Sequence, residues 1–167
     1  HTPITVYTSE ESHYSIPKNA AFCGIGRDQV RYIATDKKGK RIPEELICQI
    51  EEDINDGYVP SFLNLTAGTT VLGAFDSIEA LLPIAIKYNI WTHVDGAYCG
   101  SVIFSNRYKK LIKGLKGVNS FSFNAHKMIG TPLTCSLLLV KDKAQLYRSF
   151  SNEASYLYQT ETDEFNP

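Results

Sequence analysis

The residues with the most chemistry to offer stand at the ends of two short apolar runs. Ser120-Phe121-Ser122-Phe123-Asn124 alternates with strand periodicity and gives way to Ala125-His126-Lys127, so an imidazole and an amine follow a segment that should be buried. Upstream, Ile90-Trp91-Thr92-His93-Val94 gives way to Asp95-Gly96-Ala97, which sets a carboxylate at the matching point of a second run. An amine can condense with a carbonyl, and a carboxylate can pair with a protonated ring nitrogen. Together they describe a seat for a cofactor between two strand ends. Other polar residues fall in comparable places: Thr69 and Thr70 after the apolar run 60–65, Asn124 and His126 beside Lys127, and His13 near the first helix. Singly, each has an ordinary structural explanation, as a surface lysine, a capping aspartate or a satisfied core histidine. Their grouping at one edge of one sheet is what gives them meaning.

Three kinds of ligand compete for such a set. A metal would draw on His13, His93, His126 and Asp95, yet no two of these stand at a ligand spacing such as H-E-x-x-H. A nucleotide would want a glycine-rich turn entering a helix. Gly24-Ile25-Gly26 fails as one, because Gln29 stands where a third glycine is needed, and the pair reads as a helix C-terminal cap. Pyridoxal phosphate fits best. It takes a lysine for the Schiff base with its aldehyde and a carboxylate for its pyridine nitrogen, roles open to Lys127 and Asp95. Gly96 and Ala97 leave room for a flat ring, and His13 could stack on its other face.

The elements that must position these residues follow from periodicity. Residues 2–7 read as a strand, and 12–22 as a helix in which Pro17 is awkward unless the helix begins there. A strand at 30–33 and a charged turn at 35–40 lead to a helix opened by Ile42-Pro43-Glu44-Glu45. It carries Leu46, Ile47, Ile50 and Ile54 at helical spacing and ends at Asn55-Asp56-Gly57. A strand at 60–65, a helix at 76–88 kinked by Pro83, and strands at 90–94, 120–124 and 134–140 follow, then a helix at 142–150. The basic run 107–116 reads as a solvated helix face, and the segment from Glu153 on has no usable periodicity. Strands alternating with helices at this spacing predict right-handed crossovers and a mostly parallel sheet covered on both faces, the α/β class. In such sheets ligands gather outside the carboxyl ends of the strands.

Several of these segments are also familiar. Ser9-Glu10-Glu11-Ser12-His13-Tyr14-Ser15, Thr66-Ala67-Gly68-Thr69-Thr70, His93-Val94-Asp95-Gly96-Ala97, Asn124-Ala125-His126-Lys127 and Pro132-Leu133-Thr134-Cys135-Ser136 together resemble the group II pyridoxal-phosphate-dependent amino acid decarboxylases. The likeness runs in order through nearly the whole chain. It implies part of the large cofactor-binding domain of a fold-type-I enzyme. It also implies that Lys127 forms the Schiff base, Asp95 pairs with the pyridine nitrogen, His13 stacks on the ring and Ala97 lies on its other face. Thr70 would sit beside the cofactor and Asp95, Asn124 close to the cofactor, and His126 near its phosphate. The family commonly has Asp-Ala-Ala where this chain has Asp95-Gly96-Ala97, an exchange expected to be harmless. It has Asn-Pro-His-Lys where this chain has Asn124-Ala125-His126-Lys127, which removes a rigid φ before the reacting pair. The implied activity is decarboxylation of an L-amino acid in a homodimer with the site at its interface. The phosphate loop and a proton-donor loop would lie outside this chain. Residues 8–15 and 130–136 look more like the enzymes for glutamate or cysteine sulfinate, whereas Ala97-Tyr98-Cys99-Gly100-Ser101 looks like the aromatic branch. Aminotransferases and lyases share the fold and the lysine.

The whole chain sets bounds on this reading. Its 167 residues, 43% hydrophobic and 21% charged, suffice for one domain with a core. Seventeen basic against eighteen acidic residues leave a net charge of −1, which offers nothing to nucleic acid or an acidic membrane. No apolar run approaches bilayer length and no signal-peptide pattern opens the chain, so a cytoplasmic location is expected, and the four cysteines, without a C-x-x-C pair, read as buried free thiols. Asn64-Leu65-Thr66 matches a glycosylation acceptor but lies in a strand expected to be buried. With His1 at one end and Asn166-Pro167 at the other, a piece of a longer protein is expected.

Overall fold

A computed structural model of the chain describes residues 2–151, so the segment from Glu153 on lies outside the described residues. β1 (Ile4–Ser9), β2 (Val30–Ile33), β3 (Val59–Thr66), β4 (Trp91–Asp95), β5 (Ser120–Asn124) and β6 (Ser136–Val140) form one sheet in the order β2-β1-β3-β4-β5-β6. The first five strands are parallel, and β6 joins β5 antiparallel at the edge. Parallel neighbours need crossovers; α1 (Ser15–Phe22), α2 (Pro43–Asn55) and α3 (Ile78–Lys87) supply three of the four, and the connection from β4 to β5 runs through short 3-10 turns. α4 (Ala125–Met128) and α5 (Lys143–Phe150) follow β5 and β6. Among the described residues, no helix is long and apolar enough to cross a membrane.

The sheet buries its two faces unequally. Tyr7, Leu63, Leu65, Val94, Phe121 and Phe123 join Leu46 and Ile50 of α2 and Ile78, Leu81 and Ala85 of α3 in the main core. Each Val, Leu, Ile or Phe among them, fully buried, contributes about 1.5–3 kcal/mol relative to exposure. On the opposite face, Val6 and Val30 pack with Ala20 of α1, flanked by Ile16, Ile25 and Phe62. β3, β4 and β5 carry polar residues on that second face, and the candidate site lies there.

Where element boundaries depart from the periodicity, tertiary partners explain the difference. α1 begins at Ser15, three residues later than predicted, which places Pro17 in the first turn, where the missing N–H breaks no helical bond. Ser12 stays outside the helix because its hydroxyl accepts the Ser9 N–H at 3.1 Å and lies 3.1 Å from Thr66 Oγ1, joining the ends of β1 and β3. The α1 terminus is the predicted glycine cap, with the Ile25 and Gly26 N–H groups both donating to the Ala20 carbonyl. α3 begins at Ile78 because Asp76 is buried and committed to Arg41 and Thr66. Ile54, expected on the apolar stripe of α2, is 45% exposed in the last turn. The basic run is not an α-helix but two 3-10 turns, Lys109–Ile112 and Leu115–Gly117. They are separated by Gly114 at φ +94, where a Cβ would come 3.1 Å from Ile78 Cγ2.

Candidate functional site

Strand register builds the site. Thr66, Asp95 and Ser122 are partners across β3, β4 and β5, and two residues earlier so are Asn64, His93 and Ser120. Because side chains alternate, these residues share the face turned away from the main core. A cavity of about 340 Å³ opens over this face at the carboxyl ends of the strands. Its lining brings together His13, Thr70, Asp95, Ala97, Asn124 and Lys127, six of the seven residues singled out from the sequence. His126 is not among the lining residues. Asn64, His93 and Ser122, which the sequence reading did not assign to a cofactor site, form the cavity floor. Asn64 is fully buried, which removes the glycosylation match from consideration.

Each side chain is held by a local device. Asp95 ends β4, and its Oδ1 accepts the Ala97 N–H at 2.9 Å, closing the turn through Gly96 and leaving Oδ2 for a donor in the cavity. Gly96 is buried where a Cβ would meet Phe121 Cε2 at 2.6 Å, Gly100 Cα at 2.8 Å and the Ser122 carbonyl at 2.9 Å. Returning an alanine to this position would not be free in this backbone, since two of those contacts are main-chain atoms. Thr69 is buried and its Oγ1 accepts the Ala74 N–H at 3.0 Å, which holds the loop that exposes Thr70. His13 is exposed on the rim between β1 and α1. Its Nδ1 accepts the Ser15 N–H at 3.2 Å, which satisfies a free donor of the helix start and leaves the proton on Nε2.

Lys127 is exposed in the single turn of α4, directly after β5. That turn is tied to the start of β6: the Ala125 N–H donates to the Cys135 carbonyl at 2.9 Å, and His126 Nδ1 lies 3.1 Å from the Cys135 nitrogen. Since the Cys135 carbonyl already has a donor, the arrangement that satisfies both backbone groups has Nδ1 accepting from the Cys135 N–H. His126 thus fixes the segment that carries Lys127. His93 is half-buried, stacked on Phe62 at 6.1 Å, with Nδ1 2.8 Å from Ser120 Oγ and Nε2 3.2 Å from Ser122 Oγ. Burial pushes its pKa below the ordinary value, against the pull of Asp95 in the other direction, so the ring is neutral at pH 7.

The residues present suit the cofactor expected from the sequence. The cavity falls in the range of small-ligand sites, about 300–1,000 Å³. It offers one amine and one carboxylate whose Oδ2 has no donor among the described residues. Among the described residues, no three His, Cys, Asp or Glu side chains gather as metal ligands would.

Comparison with known proteins agrees with this geometry. The chain belongs to the pyridoxal-dependent decarboxylase family: the pyridoxal-dependent decarboxylase conserved domain matches residues 2–166. It is 43% identical over 158 residues to cysteine sulfinic acid decarboxylase of Rattus norvegicus, covering 94% of this chain and 32% of the relative. It is 44% identical over 157 residues to acidic amino acid decarboxylase GADL1 of Xenopus tropicalis, covering 93% and 31%. Among solved structures, mouse CSAD superposes with a TM-score of 0.89 at 39% identity, covering 95% of this chain and 34% of that one. Catharanthus roseus tryptophan decarboxylase in complex with L-tryptophan gives 0.86 at 33% identity, covering 92% and 33%. The fold is thus the α/β fold of fold-type-I pyridoxal-phosphate enzymes. The chain spans about a third of the length of the curated relatives it matches.

Proposed function

We propose that this chain is the cofactor seat, part of the large domain, of a pyridoxal-phosphate-dependent decarboxylase that converts an acidic L-amino acid to its amine and carbon dioxide. One observation carries the reading: Lys127 and Asp95, 32 positions apart in sequence, line one cavity with His13, Thr70, Ala97 and Asn124. When bound, pyridoxal phosphate supplies an aldehyde that condenses with amines and a protonated ring that accepts the electron pair released at the substrate α-carbon. Lys127 Nζ is the amine that anchors it. Asp95 Oδ2 would take the ring-nitrogen hydrogen bond, while Oδ1 is kept on the Ala97 N–H. The His13 imidazole and the Ala97 methyl, both on the cavity wall, would cover opposite faces of the ring. Thr70 and Asn124 offer polar contacts at its edge.

An acidic substrate is favoured because relatives named for cysteine sulfinic acid and for acidic amino acids are 42–44% identical. The aromatic alternative rests on the likeness to tryptophan decarboxylase at 33% identity. Segments outside this chain, contributed in a homodimer with the site at the interface, complete the substrate grip in this proposal. The test is carbon dioxide release by the full-length enzyme over a panel of amino acids. Turnover of glutamate, aspartate or cysteine sulfinate is expected. Turnover of tyrosine or DOPA alone selects the aromatic reading, and a keto acid product instead of an amine rules out decarboxylation as the main activity.

A further inference from the structure

The polar floor beneath Asp95 has a direction. The Trp91 indole N–H donates to Ser120 Oγ at 3.0 Å, and an indole nitrogen can only donate. Ser120 therefore accepts from Trp91, and its own proton has one further partner, His93 Nδ1 at 2.8 Å. A neutral imidazole accepts on one nitrogen and donates from the other, so Nε2 carries the proton and donates to Ser122 Oγ at 3.2 Å. The reverse order would leave the Ser120 proton without an acceptor. The stack on Phe62 fixes the ring plane, and its burial keeps the ring neutral. The chain of donors ends on Ser122, which lines the cavity and is the register partner of Asp95, on a strand about 4.8 Å away.

We propose that His93 and Ser122 are positioning residues for Asp95: the chain that starts at Trp91 leaves the Ser122 hydroxyl proton free for the Asp95 carboxylate and so holds that carboxylate oriented toward the cofactor ring nitrogen. The proposal rests on the cofactor reading above and deepens it. Neither residue reacts. Each acts through Asp95.

The test is titration of the full-length apoenzyme with pyridoxal phosphate, followed by the absorbance of the bound cofactor, alongside thermal midpoints. Ser122→Ala removes a single oxygen, and His93→Phe keeps the stack on Phe62 but loses both nitrogens. Each is expected to weaken cofactor affinity by roughly tenfold, and the double variant no further, because the two belong to one chain. His93→Gln keeps a donor and recovers most of the affinity even if His93→Phe folds poorly. Trp91→Phe, outside the cavity lining, weakens affinity in the same direction. Parent-like affinity in Ser122→Ala and His93→Phe, or losses that multiply in the double variant, overturns the proposal, as does a lowered thermal midpoint with unchanged affinity. A parent enzyme that binds no cofactor brings down the functional reading as well, which separates the two failures.

Discussion

The Arg41 guanidinium and the Asp76 carboxylate lie 3.4 Å apart inside the protein, with 0% and 3% of their side chains exposed. Arg41 Nη2 also donates to the Asn64 carbonyl at 2.6 Å, and Asp76 receives the N–H groups of Arg41 and Thr66 at 2.9 Å each. The pair therefore ties the segment before α2 to the end of β3, beside Asp95. Burial pushes the Arg41 pKa down, and Asp76 pulls it back up.

Asp76→Asn leaves the buried cation without its counter-charge, so it is expected to cost about 3–5 kcal/mol. Arg41→Met should cost less, since Asp76 keeps both backbone donors. Urea unfolding of the two variants gives the order. If Arg41→Met is the more damaging, the ion pair is not what holds the end of β3.

Gly96→Ala forces a methyl against the backbone of Gly100 and Ser122 and is expected to destabilise by about 1–3 kcal/mol. Thermal unfolding reads the loss, and a weaker cofactor affinity reads the displaced turn between Asp95 and Ala97. An unchanged midpoint would show that the turn yields freely.

His93 predicts an acid dependence. Its folded pKa is depressed below the ordinary 6.5, chiefly by burial, so below that value the unfolded chain binds the proton that the folded one refuses. The stability contribution is full above 6.5 and is lost as pH falls from there through the lower folded value. Stability measured against pH for the parent and His93→Gln should diverge in that window, with the variant flatter. Parallel curves would contradict a neutral, buried His93.

Tyr7 predicts the alkaline counterpart. It is fully buried, its hydroxyl accepts from Thr5 Oγ1 at 2.9 Å and donates to Asp53 Oδ2 at 2.7 Å, and Arg31 Nε holds the other Asp53 oxygen at 2.7 Å. Burial first, then Asp53, raises its pKa well above the ordinary 10.0 despite the Thr5 hydrogen bond. Its contribution is fully present below pH 10 and falls as pH rises through the folded value. Tyr7→Phe should cost about 1–3 kcal/mol at neutral pH by leaving polar partners unpaired, and should flatten the alkaline fall in stability.

The five parallel strands and three crossover helices were legible because each carries enough apolar residues at period 2 or 3.6. Their starts were less so. Ser12 and Asp76 look like helix-start residues, but each is taken by a partner 54 or 35 positions away. Lys127 and Asp95 could be read from strand ends alone. Asn64, His93 and Ser122 could not, because a polar residue inside an apolar strand gains meaning only when register aligns it with its neighbours. The signal was present in the alternation of Ser120, Ser122 and Asn124. His126, expected near a phosphate, uses Nδ1 on Cys135 nine residues on, a contact no local pattern encodes.

The most direct measurement is borohydride reduction of the full-length protein loaded with pyridoxal phosphate, followed by peptide mass mapping. The adduct is expected on the peptide carrying Lys127 and lost in Lys127→Ala. An adduct on any other lysine, or none, would contradict the assignment of Lys127 and Asp95 as the cofactor seat.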